Sequence, residues 1–240
     1  RERAANAMGR TMISQLRDVI CSLNDPDVRC VVLSSSSQKV FSAGADLRER
    51  ASMSQSEAQD FVDSLRQTFD DLAQLPVPVL AAVEGVALGG GAEIALAADI
   101  RVASSSARFA FPETGLAIVP GAGGTQRLPR LIGAARAMEL IVTGRRIDAA
   151  TAAEYGLVQR LAGVGGAEEM AIDMAKMIAG KGPIAIRMAK RAIRMGMEAY
   201  DFETALSIEK ECYARTIPTS DRLEGLAAFR EGRPPIYKGE

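Results

Sequence analysis

The chain has 240 residues, 48% apolar and 25% charged, with a net charge of −1 and no histidine. That length holds one good-sized core or two small ones, and the near-neutral balance gives no general electrostatic pull toward nucleic acid or an anionic membrane. Without histidine there is no Ser-His-Asp triad, Cys-His pair or histidine-bound zinc, so proton transfer falls mainly to carboxylates. Cys21, Cys30 and Cys212 lack metal spacing. So sparse and odd a count fits buried thiols in a reducing compartment rather than a secreted protein. Charged residues interrupt every apolar run before it reaches membrane-spanning length. The sequence starts at Arg1, so any leader segment lies outside what can be read.

In chain order, Met8, Met12, Leu16, Val19, Ile20 and Leu23 recur at helical spacing and predict a helix over residues 6–24. Asn24-Asp25-Pro26-Asp27 ends it. The β-branched run from Val28 to Leu33 reads as a buried strand. After a serine-rich loop comes Phe41-Ser42-Ala43-Gly44-Ala45-Asp46. Ser54 and Glu57 have capping-box spacing and start a helix through about Leu75, which Pro76 and Pro78 stop. Val79 to Val83 is the next expected strand. A glycine-rich turn, Gly85 to Glu93, leads into a helix over 91–98. Strands are expected over Ile100 to Ala103 and Arg108 to Phe111. From Gly133 onward the pattern is almost wholly helical. Strand and helix alternate first and helices follow, which implies an α/β core, assigned to residues 1–185, and a helical extension over 186–240.

Two small-residue loops each follow a strand: Ala43-Gly44-Ala45-Asp46 and Gly89-Gly90-Gly91. Their backbone N–H groups are uncovered by side chains. If the loops meet, one N–H from each can hold a carbonyl oxygen that becomes negative during reaction. Glycines that serve only tight turns are the plainer explanation. Glu93 sits among Ala92, Ile94, Ala95, Leu96 and Ala97, and a glutamate in so apolar a segment is paired or functional. Glu113 stands just before a second glycine loop, Pro120-Gly121-Ala122-Gly123-Gly124. Were the two carboxyls to approach each other, one would stay protonated near neutral pH and serve as acid while the other serves as base. Neither loop has a P-loop or dinucleotide fingerprint. The basic residues Arg187, Lys190, Arg191 and Arg194 fall at helical spacing and read as a solvated face. Arg230 to Pro235 reads as an exposed tail.

Four stretches carry a family resemblance: Phe41 to Leu47, Ala87 to Glu93, Asp99-Ile100-Arg101-Val102-Ala103, and Pro120 to Leu128. In that order, with both glutamates, the chain resembles the enoyl-CoA hydratase (crotonase) superfamily over essentially its whole length. Cys212-Tyr213-Ala214, Ile217-Pro218-Thr219, Asp221 to Gly225 and Arg233-Pro234-Pro235 resemble the methylglutaconyl-CoA hydratase group, also described as AU-specific RNA-binding hydratases. The resemblance implies a spiral of β-β-α units with a helical C-terminal trimerisation region, giving homotrimers or homohexamers. It also implies that Ala45 and Gly90 N–H groups bind a thioester carbonyl. Glu93 would activate water for attack on C3, and Glu113 would give the proton to C2. Ala43, Ala45, Asp46 and Leu47 would border the CoA moiety. Arg3 and Arg48 would approach its phosphates, and Phe229 would approach the site of a neighbouring subunit. No separate cofactor or metal is implied, since coenzyme A is part of the substrate, and no membrane partner. The compartment would be the mitochondrial matrix in a eukaryote and the cytoplasm in a bacterium.

The sequence also departs from the family pattern. Members of that family usually begin with about one strand hairpin more, and Arg1 aligns inside that region. Where the RNA-binding relative has a comb of lysines, this chain has Arg10, Ser14 and Asp18, which argues against RNA binding. A C-terminal lysine position is Gly232, which leaves Arg230 or Arg233 for any phosphate contact there. Hydration of a 2-enoyl-CoA, with 3-methylglutaconyl-CoA as one candidate, is the leading function. The alternatives are double-bond isomerisation, which typically needs only the Glu113-type carboxylate, and an RNA-binding protein with residual hydratase activity.

Overall fold

Short apolar strands alternating with helices build two four-stranded sheets in the computed structural model, which describes residues 1–240. Strands β1 (Val31–Leu33), β3 (Val79–Val83), β5 (Ile100–Ser104) and β8 (Arg160–Ala162) form one sheet in the order β1-β3-β5-β8. Strands β2 (Val40–Ser42), β4 (Val86–Leu88), β6 (Arg108–Ala110) and β7 (Ile147–Asp148) form the other, in the order β2-β4-β6-β7. From β1 to β6 the odd strands enter one sheet and the even strands the other, and β7 and β8 exchange that order, so each successive pair of strands adds one to both sheets. The β3-β5, β5-β8, β2-β4 and β4-β6 pairings are parallel, and β6-β7 is antiparallel. Every residue of β3 is buried, as a parallel strand covered on both faces must be.

The chain divides into two compact units. One comprises residues 1–25, 32–75 and 79–172, and the other comprises 26–31, 76–78 and 173–240. The boundary expected after residue 185 falls within the helix α9 (Pro183–Glu198), and the compact units divide earlier, after Ile172.

In the first unit, α1 is Arg10–Ser22, shorter than expected. Ala5 and Asn6 take left-handed backbone, and Met8 bridges to Ala45, so the N-terminal segment is tied to the loop after β2 before the helix begins. The strand expected from Val28 starts only at Val31. The helix α3 (Gln55–Gln74) begins at the Ser54–Glu57 capping box and buries Phe61, Leu65, Phe69 and Leu72. The helix α4 (Gly90–Ala97) is buried throughout. Its C-terminal carbonyls are held by the buried Arg101, which donates to the oxygens of Ala95 (3.3 Å) and Ala98 (2.7 Å). Asp99 accepts from the Val79 N–H at 2.7 Å. The Asp99-Ile100-Arg101 stretch therefore clamps α4 to the sheet. The region expected to be wholly helical after Gly133 holds α6 (Ala134–Thr143), α7 (Ala149–Glu154) and α8 (Ala167–Ala179) but is interrupted by β7 and β8, which are too short to give a periodic signal.

In the second unit, α9 packs on α10 (Phe202–Thr216), and α11 (Ser220–Glu231) follows. Ile193, Met197, Phe202, Leu206, Leu223, Leu226 and Phe229 stay exposed. The C-terminal tail is exposed but not free. Arg233 pairs with Glu224 and Glu231, and the buried Asp221 carboxylate accepts from the Lys238 and Gly239 N–H groups. The phosphate contact expected of Arg233 thus meets a guanidinium already held by two carboxylates. No helix is long and apolar enough to cross a membrane.

Candidate active site

The two glycine loops meet. Gly44 has φ +90°, and a Cβ there would lie 2.7 Å from the Leu88 oxygen and 3.0 Å from the Gly90 nitrogen. Only glycine fits so close an approach in that conformation. Most N–H groups in the two loops have partners: Ala43 donates to Ala5, Gly44 to the Ser42 hydroxyl, Asp46 to Met8, and Gly89 to Ala110. Those of Ala45 and Gly90 are not among these bonds. A Cβ on Gly90 would stand 3.5 Å from the Ala45 nitrogen, so the two N–H groups lie close together. Gly90 is also the first residue of α4, where an N–H lacks an intrahelical acceptor and the helix dipole favours negative charge.

Glu93, one turn along α4, is 3% exposed. Its Oε1 accepts from the N–H groups of Ala122 (2.9 Å) and Gly124 (2.8 Å). Gly124 begins the helix α5 (Gly124–Ile132), so one donor is itself a helix N-terminus. Arginines fix the carbonyl side of this loop: Arg127 donates to the Ala122 oxygen at 3.0 Å and Arg66 to the Gly121 oxygen at 3.2 Å. Arg127 also pairs with Asp70. Burial raises the Glu93 carboxyl above its ordinary value, and the two backbone donors, Arg127 and Arg66 offset part of that rise.

Glu113 lies in a 3-10 turn, Pro112–Leu116, closed by Ala117 in left-handed conformation. The Thr114 hydroxyl anchors that turn by donating to the Ile141 oxygen at 2.9 Å. Glu113 Oε1 is 2.6 Å from where a Cβ on Gly89 would stand, which puts the carboxyl beside the donor loop. Its Oε2 is buried without a hydrogen-bond partner. Burial, and secondarily the Glu93 charge, raise this carboxyl to about 7, against its own backbone N–H and Arg50. The charge of Glu93 thus bears on the proton affinity of Glu113.

Ala43, Ala45, Gly90, Glu93 and Glu113 all line one cavity of about 540 Å³, with apolar walls from Leu47, Val62, Leu65, Leu116, Ile118 and Val119. Leu47, also expected at the site, is thus one of its walls, whereas Asp46, Arg3 and Arg48 do not line it. Asp46 caps the short helix α2 (Leu47–Ala51), accepting from the N–H groups of Arg48 and Glu49, and pairs with Arg1 at 2.9 Å. Its carboxylate is thus occupied structurally. Arg3 and Arg48 are exposed and outside the cavity wall, and Phe229 is 89% exposed on the second unit. Sequence reasoning missed Arg50, Arg66 and Arg127. Arginines recur through the chain without pattern, and only the fold shows which ones face a carboxylate.

A family model described as enoyl-CoA hydratase/isomerase matches residues 1–240. The chain is 50% identical to the human mitochondrial methylglutaconyl-CoA hydratase over 240 residues, covering 98% of this chain and 70% of that protein. A 1.8 Å crystal structure of an enoyl-CoA hydratase from Bacillus anthracis superposes with a TM-score of 0.98 at 51% identity, covering all of this chain and 93% of that one. An enoyl-CoA hydratase structure from Polaromonas sp. JS666 gives a TM-score of 0.92 at 31% identity over 99% of this chain and 93% of that one.

Proposed function

The chain belongs to the enoyl-CoA hydratase/isomerase family, and from that premise we propose that it adds water across the 2,3 double bond of a 2-enoyl-CoA thioester. The observation that carries this reading is the pairing, in one cavity, of two N–H donors with two carboxyls of unlike surroundings. The thioester oxygen sits between the Ala45 and Gly90 N–H groups, which stabilise the negative charge it gains as the enolate forms. Glu93, whose Oε1 is fixed by two backbone donors, acts in its ionised form and takes a proton from water as the water oxygen bonds to C3. Glu113, whose buried Oε2 lacks a donor and so favours the neutral form, gives its proton to C2. The enolate electrons form the C2–H bond. One proton returning from Glu93 to Glu113 through water resets the pair. Coenzyme A enters as part of the substrate, and this chemistry needs no separate cofactor.

The human relative's name brings 3-methylglutaconyl-CoA forward as the acyl group. The apolar faces left open on α9, α10 and α11, including Ile193 (69% exposed) and Met197 (80%), support a trimer or hexamer with three-fold closure. The compartment follows the source: the matrix of a mitochondrion, as the human relative's name states for that protein, or a bacterial cytosol. The test is loss of enoyl absorbance on adding the protein to crotonyl-CoA, a long-chain 2-enoyl-CoA and 3-methylglutaconyl-CoA. No loss with any of them would overturn the reading.

A further inference from the structure

Three consecutive peptide units run from Gly121 to Gly124 beside Glu93, and the carbonyl of each is held differently. The Ala122 N–H donates to Glu93 Oε1 at 2.9 Å, and the carbonyl of that same peptide, the Gly121 oxygen, accepts from Arg66 Nε at 3.2 Å. The Gly124 N–H is the second donor, at 2.8 Å, and the carbonyl of its peptide, the Gly123 oxygen, accepts from the backbone of Gln126 and Arg127. The Arg127 side chain takes the Ala122 oxygen, on the middle peptide, which carries neither donor. Arg66 is therefore the side chain that grips a donor peptide of Glu93 from its other end.

A Cβ on Gly121 would lie 2.8 Å from Val62 Cγ1, so the loop rides directly on α3, where Arg66 stands one turn beyond Val62. Asp63 accepts from Arg66 Nη1 at 3.0 Å, which leaves Nε aimed at the Gly121 oxygen, and Gln59 donates to Asp63 at 3.1 Å. The Arg66 and Asp63 side chains are each 51% exposed, and so exposed a pair contributes little to stability. Its effect through the peptide is larger. A cation on the carbonyl polarises the amide and makes the N–H at the far end a stronger donor to a carboxylate. Glu93 acts as a base only when ionised, and burial raises its proton affinity. The other charged groups around the pair come from three elements. Glu113 of the 3-10 turn opposes the Glu93 charge, Arg127 of α5 supports it while paired with Asp70 of α3, and Arg50 of α2 acts on Glu113.

Building on the hydratase reading, we propose that Arg66 is a positioning residue of the reaction, acting through the Gly121–Ala122 peptide to hold the Ala122 N–H on Glu93 Oε1 and keep the base ionised. The first readout needs no turnover. In the whole protein carrying 13C at its glutamate carboxyls, the Glu93 signal, identified by its loss in Glu93→Gln, should titrate at higher pH in Arg66→Met than in wild type. Arg66→Lys should bring it part of the way back. The Ala122 amide should exchange with solvent faster in Arg66→Met, and the Gly124 amide should not. The second readout is kcat for a 2-enoyl-CoA across pH. Relative to wild type, Arg66→Met should lose roughly tenfold on the acid limb, the low end for a charged hydrogen bond, and at most about twofold at pH 8. Its urea midpoint should barely move. Arg66→Gln, also compatible with the helix, takes the same measurements if Arg66→Met does not fold. An unmoved Glu93 titration would overturn the proposal. So would an Ala122 amide that exchanges no faster, or an equal loss of kcat at every pH, the mark of a merely structural role. Failure of the hydratase reading would appear separately, as a wild-type protein that consumes no enoyl-CoA while the carboxyl titration still moves.

Discussion

Replacing Glu113 by glutamine should remove activity and add stability, and the gain should depend on pH. Burial first and the Glu93 charge second raise this carboxyl from the ordinary 4.5 to about 7. The folded chain therefore binds the proton more tightly than the unfolded one. Below pH 4.5 the group is neutral in both states and costs nothing. Between 4.5 and 7 it ionises in the unfolded chain but resists doing so in the folded one, so the fold loses stability, with a plateau above 7. The gap of 2.5, from 7 − 4.5, corresponds to about 3 kcal/mol in full. Partial solvent access reduces that to about 1–2 kcal/mol. Glutamine stays neutral at every pH. Urea denaturation at matched protein concentration should thus show Glu113→Gln more stable than wild type by about 1–2 kcal/mol at pH 8, and by much less at pH 5. Hydration should fall at least about a hundredfold, as for a lost general acid. Wild-type kcat should decline on the alkaline side from near pH 7. An equal gain at both pH values, or a loss of stability at pH 8, would refute the raised proton affinity.

Other outcomes follow from the same geometry. Glu93→Gln keeps a carbonyl oxygen for the Ala122 and Gly124 donors, so the loop should hold while hydration drops at least about a hundredfold; near-wild-type turnover would take Glu93 out of the mechanism. Gly90→Val fills the space beside the Ala45 nitrogen and presses only on the flexible end of Met8 at 3.0 Å, so a folded but inactive protein is expected by circular dichroism and the absorbance assay; full activity would make Gly90 a turn residue only. The groove between α1 and α3 mixes Arg10 and Arg17 with Asp18, Glu57 and Asp60, so gel-shift binding to AU-rich RNA should be weak and lost as salt rises; tight binding at physiological salt would restore the RNA-binding reading. Light scattering at micromolar protein should give a trimer or hexamer, and a fully active monomer would sink that expectation.

Much of this was legible in the residues, for identifiable reasons. The capping box at Ser54 and Glu57 fixed the start of α3 because it is a local signal, and both of its hydrogen bonds are present. The glycine runs marked both donor loops, since backbone approach this close excludes a side chain. What stayed hidden was set by distance in sequence. The strands β2, β4, β7 and β8 are two or three residues long, below the length at which alternation is readable. The partners of Glu93 are the N–H groups of Ala122 and Gly124, and backbone donors carry no residue-type signature. Asp46 looked like part of a ligand loop, yet its side chain is consumed by capping α2 and by Arg1. Arg66 drew no notice because the carbonyl it holds lies far along the chain, a proximity that only three dimensions show.

Two glutamates of one residue type come to different tasks through their surroundings, and their hydrogen-bond donors differ most plainly. Two backbone N–H groups, one at the start of a helix, fix one oxygen of Glu93, and such donors stabilise the charged form. Glu113 has a buried oxygen with no donor, so a proton there relieves the site. In the proposed reaction this asymmetry keeps the cavity's charge constant. At the start Glu93 is ionised and Glu113 neutral. Once water has given up its proton, both carboxyls are neutral and the negative charge lies on the thioester oxygen, between Ala45 and Gly90. After C2 is protonated, the charge lies on Glu113. The charge moves but never doubles, so two fixed N–H donors suffice where a metal ion or a histidine would otherwise be needed. A chain with no histidine can therefore run acid and base chemistry near neutral pH, provided its two carboxyls differ in their hydrogen-bond partners.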